Sequence, residues 1–189
     1  MLQRALFFSA MTFSLLFHGC SDTVQESEEA NSMNTMVSGT TFKLIDTENN
    51  AFIVEKKGND FILKNYEDKI VIYDVFATWC PPCRAAAPSL TRLQQQFTND
   101  LLILGITIEE DKSNADILAY KSKYGADYTI VNSKDNVALS RSIASSIKVG
   151  QRFPIPLMVM YKNGQYVTHY VGAIPEEMII SDLKKAIGK

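Results

Sequence analysis

The feature that most constrains this chain is Trp79-Cys80-Pro81-Pro82-Cys83, set where a strand should hand over to a helix. The run before it, Ile70-Val71-Ile72-Tyr73-Asp74-Val75-Phe76, is short, apolar and rich in β-branched and aromatic residues, the pattern of a buried strand. The stretch from Pro81 to about Phe97 reads as a helix, with prolines where a first turn tolerates them. A thiol at a helix N-terminus sits in the field of unpaired backbone N–H groups, which favours thiolate over thiol. Residues three apart on a helix share a face, close enough for a disulfide at a Cα separation of roughly 5–6 Å. Such a pair can cycle between dithiol and disulfide, and the segment reads as a redox site.

Three other readings stand beside that one. A structural disulfide across a two-residue loop removes little entropy from the unfolded chain, so it would staple almost nothing. A zinc site draws four ligands from Cys and His. The chain's remaining candidates are Cys20, His18 and His169, too few and too scattered. Two merely buried thiols leave the flanking Trp79 and the double proline unexplained.

The N-terminus carries a separate message. Arg4 supplies a basic start, and Ala5 to Phe17 is an apolar run of 13 residues. That length suits a secretory signal and falls short of the roughly 20 apolar residues of a spanning helix. The run leads into Leu16-Phe17-His18-Gly19-Cys20, which resembles the lipobox of bacterial lipoproteins, where the Cys becomes the acylated first residue. Ordinary secretion, with Cys20 lost or left free, is the alternative. From Ser21 to Gly39 the chain is polar and aperiodic, as a flexible tether would be. Without Met1 to Gly19, 18 basic and 21 acidic residues remain, a net charge of −3 with no basic stripe. That balance argues against a nucleic-acid partner. The expected organisation is a signal at 1–19, a lipidated Cys20 and tether at 20–39, and one domain at 40–189. The expected place is the cell envelope, where disulfides persist.

Within the domain, Thr41–Ile45, Ala51–Glu55 and Phe61–Lys64 read as short strands. Leu101 to Ile108 is a second buried strand. Ser113 to Tyr124 reads as a helix with Ile117, Leu118 and Lys121 at helical spacing. A short strand at Tyr128–Val131 and a helix at Asn136–Ile147 follow. Leu157–Tyr161 and Tyr166–Val171 form a hairpin across an Asn163-Gly164 turn. Pro175 opens a last helix with Met178, Ile179, Leu183 and Ile187 on one face. Strands alternating with helices before a closing hairpin predict an α/β fold with a mixed sheet.

From Thr40 to Lys189 the chain resembles the thioredoxin fold family. Besides the two thiols, the resemblance rests on Asp74 six positions before Cys80 and Pro88 five after Cys83. It rests also on Ile155-Pro156 ahead of Met158-Val159-Met160-Tyr161-Lys162-Asn163-Gly164, and on Val171-Gly172-Ala173. The signal, the extra N-terminal strands and the inserted helical segment are similar to the TlpA/ResA-like membrane-tethered branch. The resemblance implies a mixed central β-sheet flanked by helices, and a thiol:disulfide oxidoreductase that uses no cofactor and no metal. It implies that Cys80 attacks as the exposed thiolate, that Cys83 resolves from within, and that Asp74 accepts the Cys83 proton through water. Trp79, Ile155, Pro156 and Gly172 would then frame the substrate groove, the Ile155–Pro156 bond being cis, with Pro154 as the competing position.

An ionised Asp74 in so apolar a strand is costly, so its pKa should be raised. An Asp on an exposed strand edge is the plainer alternative. Glu109 and Glu110 read as solvated strand ends, with a place near the site as the alternative, and Lys148 and Arg152 as loop charges that would lower a thiol pKa if they lay close. The partners implied are proteins carrying disulfides or thiols, apocytochrome c among them, a DsbD/CcdA-like membrane thiol electron donor, and the membrane through the lipid on Cys20. A disulfide oxidant or isomerase, and a copper-handling protein using the same two thiols, are the competing functions.

Overall fold

The computed structural model describes residues 39–150 and 152–188. Cys20, His18, the apolar N-terminal run and most of the polar stretch lie outside the described residues. Three strands come first: β1 (Thr40–Ile45), β2 (Ala51–Lys57) and β3 (Asp60–Leu63). They pair in order as a small antiparallel sheet. The central sheet follows, built from β4 (Ile70–Phe76), β5 (Leu101–Thr107), β6 (Thr129–Val131), β7 (Leu157–Lys162) and β8 (Gln165–Val171). Its order is β6-β5-β4-β7-β8, with β4, β5 and β6 parallel and the β7–β8 hairpin antiparallel to them. Four helices complete the fold: α1 (Pro81–Gln96), α2 (Asn114–Tyr124), α3 (Asn136–Ser146) and α4 (Glu176–Ile187).

Alternation along the central strands divides the core into two layers. Ile70, Ile72 and Phe76 of β4, with Met158 and Met160 of β7, face Ala87, Leu90 and Leu93 of α1, Ile117 and Tyr120 of α2, and Ile179 and Leu183 of α4. Val71, Tyr73 and Val75 point the other way, with Leu157, Val159 and Tyr161, against Leu139 and Ile143 of α3 and the small sheet. The extra N-terminal strands therefore cover the face that α3 alone would leave half open. Gly164 ties the two sheets: its carbonyl accepts the Phe61 N–H at 2.8 Å, and a Cβ there would overlap Ile62, so the close approach of β3 needs a residue without one.

Two expected faces need correction. Leu118 is half exposed, because α2 turns Ile117 and Tyr120 inward instead. Met178 is likewise half exposed; α4 buries Ile179 and Leu183, and only Ile187 of the remaining expected residues packs on that core. Both helices carry a narrower apolar stripe than their sequences offer. The register of β7 on β8 slips at Met160/Tyr161, a bulge that interrupts the ladder along the edge strand β8.

This assignment is checked by a pair of substitutions. Ile117→Ala should cost about 2–4 kcal/mol of unfolding free energy and Leu118→Ala less than about 1 kcal/mol, read by urea denaturation. Equal losses would mean that α2 faces the core differently.

Candidate active site

The carboxyl end of β4 delivers the chain to the start of α1 through Ala77, Thr78 and Trp79. Cys80 is the N-cap of α1, in extended backbone, with Pro81 and Pro82 in the first helical positions. Neither proline has an N–H. The first helical N–H is therefore that of Cys83, and it donates to Cys80 Sγ at 3.3 Å. One donor is aimed at the sulfur where an ordinary first turn offers several. Cys80 and Cys83 are joined as a disulfide with their Cα atoms 5.3 Å apart. Exposure does not separate them as expected: both residues are buried, Cys80 as fully as Cys83. The covering segment is the turn at Ile155, whose carbonyl oxygen stands 3.8 Å from Cys80 Sγ.

That turn carries a cis peptide bond between Ile155 and Pro156, not at Pro154. The Pro156 carbonyl accepts the N–H of Gly172 at 2.9 Å, so the start of β7 and the end of β8 are closed together beside the disulfide. Gly172 has φ 79°, a conformation open to glycine at little cost. Trp79 projects into solvent, 60 % exposed, with Val171 also exposed near Gly172. Tryptophan exposed next to a buried disulfide leaves apolar surface uncovered where a partner chain would lie.

Thr78 is held from both sides, a connection that the sequence reading missed. Its N–H and hydroxyl both donate to the Glu109 carboxylate, at 2.5 and 3.0 Å. Its carbonyl accepts Arg84 Nε at 2.7 Å. Glu109 is only 12 % exposed and also pairs with Lys112 at 3.5 Å. The reading of Glu109 as a solvated strand end is thus corrected: it pins the loop leading to Cys80, while Glu110 is exposed. The Arg84 guanidinium lies over the Tyr124 ring at 5.0 Å, which fixes its direction. A Thr two residues before the motif and an acid just past a buried strand were the only available signals.

Asp74 lies on the α1 side of β4, between Ile72 and Phe76, and is 2 % exposed. The exposed-edge alternative is excluded, since β4 is flanked by β5 and β7. Burial pushes its carboxyl up to about 7, and a hydrogen bond from Tyr128 O–H to Oδ2 at 3.0 Å partly opposes the rise. Among the described residues Oδ1 has no hydrogen-bond partner. Tyr120 joins the same layer: its hydroxyl stands 3.5 Å from the Cys83 carbonyl, and its ring packs on Phe76. Lys148 does not approach the thiols; it borders a cavity of about 240 Å³ with Asn59, Ser146 and Tyr166. Arg152 is exposed, and His169, half-buried, meets the Tyr166 hydroxyl through Nδ1 at 2.8 Å. Among the described residues no three His, Cys, Asp or Glu side chains converge as a metal ion would require.

Residues 40–180 match the AhpC/TSA family. Thioredoxin 1 of Synechococcus elongatus is 28 % identical over 115 residues, which is 61 % of this chain and 78 % of that protein. Among solved structures, a DsbE-type thiol:disulfide interchange protein of Chlorobium tepidum superposes with a TM-score of 0.58 at 17 % identity. The alignment covers 79 % of this chain and 94 % of that one. The exposed lipoprotein thioredoxin of Streptococcus pneumoniae superposes with a TM-score of 0.53 at 18 % identity, covering 77 % and 99 %. A matched span running from β1 into α4, with a two-thiol disulfide capping α1 inside it, makes the chain a member of the AhpC/TSA family and a thiol:disulfide oxidoreductase of thioredoxin type.

Proposed function

We propose that this protein is a TlpA/ResA-like oxidoreductase that reduces disulfides of envelope proteins while tethered to the membrane through a lipid on Cys20. The observation that carries the reading is the disulfide at the N-terminus of α1 with one N–H on Cys80 Sγ and a buried acid in the layer behind it. The tethering half draws on the N-terminal sequence, with its signal at 1–19 and tether at 20–39, and on the likeness to a streptococcal lipoprotein thioredoxin. Apocytochrome c is a fitting client and a DsbD/CcdA-like membrane thiol protein a fitting electron donor.

The chemistry starts from the reduced pair. The Cys80 thiolate attacks one sulfur of a client disulfide, forming a mixed disulfide and expelling the client's other sulfur as a thiolate. Cys83 passes its proton through water to Asp74 and attacks Cys80 Sγ. The client's second sulfur leaves as a thiolate, and the Cys80–Cys83 disulfide closes. The client gains two electrons and the protein loses two, to be restored by the donor. Ile155 borders the sulfur, and together with Trp79, Pro156 and Gly172 it would seat the client's backbone as an added strand.

A reducing couple is favoured over an oxidising one by the two prolines. They remove N–H donors that would otherwise stabilise the thiolate of the reduced state. The potential of the Cys80–Cys83 couple should therefore fall nearer the thioredoxin value of about −270 mV than the strong-oxidant value of about −120 mV, measured against a glutathione buffer. A value at the upper end would assign the protein to disulfide formation instead.

Order of attack is read by trapping. Cys83→Ser should accumulate mixed disulfides through Cys80, and Cys80→Ser should trap nothing. If Cys83→Ser traps no client and Cys83 alkylates faster than Cys80 in the wild type, the two roles are reversed.

Asp74 gives a signature in stability. Its folded pKa of about 7 stands above an unfolded value of about 3.9, so the folded chain keeps a proton that the unfolded chain releases. The stabilising contribution is full below about pH 4, falls as pH rises, and is gone above about pH 7, a loss on the order of 4 kcal/mol. Asp74→Asn should flatten that decline in urea unfolding of the oxidised protein from pH 4 to 8. An identical slope in the variant would mean that another group carries it.

A further inference from the structure

The wall around Asp74 contains a feature that the redox reading leaves unused. In the parallel pairing of β4 with β5, Asp74 stands opposite Gly105, and on its other side it stands opposite Met158 of β7. A Cβ on Gly105 would lie 3.0 Å from Tyr128 Cε2, 3.0 Å from Ile130 Cγ1 and 3.4 Å from Phe76 Cε1. The first two distances are tighter than ordinary packing tolerates, so the Tyr128 ring occupies the space that a side chain at 105 would take. Tyr128 itself sits one residue before β6, the strand beyond β5. Its hydroxyl thus crosses the whole width of β5 to reach β4, and it does so over the one residue there without a side chain.

The approach is anchored at its base. The Tyr128 carbonyl accepts Lys121 Nζ at 2.8 Å, and the neighbouring Asp127 N–H donates to Thr91 Oγ1 at 2.7 Å, tying this segment to α2 and α1. Tyr128 is 4 % exposed, and its hydroxyl donates to Asp74 Oδ2 at 3.0 Å. The other titratable groups on this face are Tyr120 from α2, Cys80 and Cys83 at the start of α1 and Tyr170 from β8, while Gly105 and Met158, the flanking residues of β5 and β7, contribute none.

We propose that Tyr128 is a positioning residue for the redox reaction: reaching across Gly105, its O–H holds Oδ2 of Asp74 and leaves Oδ1 as the oxygen that takes the Cys83 proton. The inference rests on the reading of Asp74 as proton acceptor. A donated hydrogen bond favours the charged carboxylate, so the phenol keeps a buried acid able to ionise near neutral pH.

Tyr128→Phe removes the hydroxyl and keeps the ring. Carbon-13 NMR of carboxyl-labelled Asp should show the Asp74 titration moved up by about one pH unit. Closure of a preformed Cys80 mixed disulfide, followed by stopped flow, should slow about fivefold at pH 7 and recover by about pH 9, with the first attack unchanged. In an Asp74→Asn background the same change should have no effect on closure. Gly105→Ala, which keeps the hydroxyl but pushes the ring, should shift the titration in the same direction. An unmoved Asp74 titration in Tyr128→Phe, with closure still slowed by Asp74→Asn, overturns the role of Tyr128 and leaves the acceptor reading standing. A moved titration with closure indifferent to both Tyr128→Phe and Asp74→Asn overturns the acceptor reading, and the inference with it.

Discussion

Strand β4 is buried along its entire length, and the active site depends on that burial. With β5 and β7 on its flanks and an apolar layer on each face, the strand has no freedom in where it ends. The helix that follows therefore starts at one place, and Cys80 becomes its N-cap. The burial that sets this geometry also makes Asp74 expensive as an anion, because the strand takes it out of bulk solvent. Position of the sulfurs and basicity of the acid thus come from one cause.

The two prolines act on the same junction in a different way. Pro at the first helical position costs nothing, since its N–H would have been unpaired. A second proline directly after it leaves a single backbone donor, that of Cys83, for the Cys80 sulfur. Stabilisation of charge at a helix terminus is cumulative over its free N–H groups. A motif that spends two of them on rigidity weakens the pull on a thiolate while fixing the loop that bears it.

Much of this was legible along the chain. The strand, the thiol pair, Asp74 and the Ile155–Pro156 turn are each encoded within a few residues, so local pattern suffices to find them. What escaped notice lies in contacts between distant segments. Thr78 and Glu109 are joined across 31 positions and Tyr128 and Asp74 across 54, and nothing in either neighbourhood marks the other. Leu118 and Met178 failed for a related reason: each is apolar and near an apolar stripe, but the width of the stripe is set by what packs against the helix. The three N-terminal strands were visible as strands. Their docking against the rest of the domain rests on contacts between distant segments, Phe61 with Gly164, Lys43 with Asp135 and Ile45 with Asn132 and Ser133, which the alternation within them does not encode.

The clamp on Thr78 has an electrostatic consequence. A carboxylate grips the peptide from one side and a guanidinium from the other, so the two opposite charges straddle a neutral residue. Seen from the sulfurs they form a dipole with almost no net monopole, and the field of a dipole decays faster with distance than that of a lone ion. Lys112, paired with the same carboxylate, brings a second cation and leaves the three groups with one positive charge in excess. The loop is thereby held by charged groups of which the Arg84–Glu109 pair largely cancels at the thiols, and the excess charge, on the partly exposed Lys112, is screened by solvent, so the stiffness of the loop is largely separable from the acidity of the cysteine that it presents.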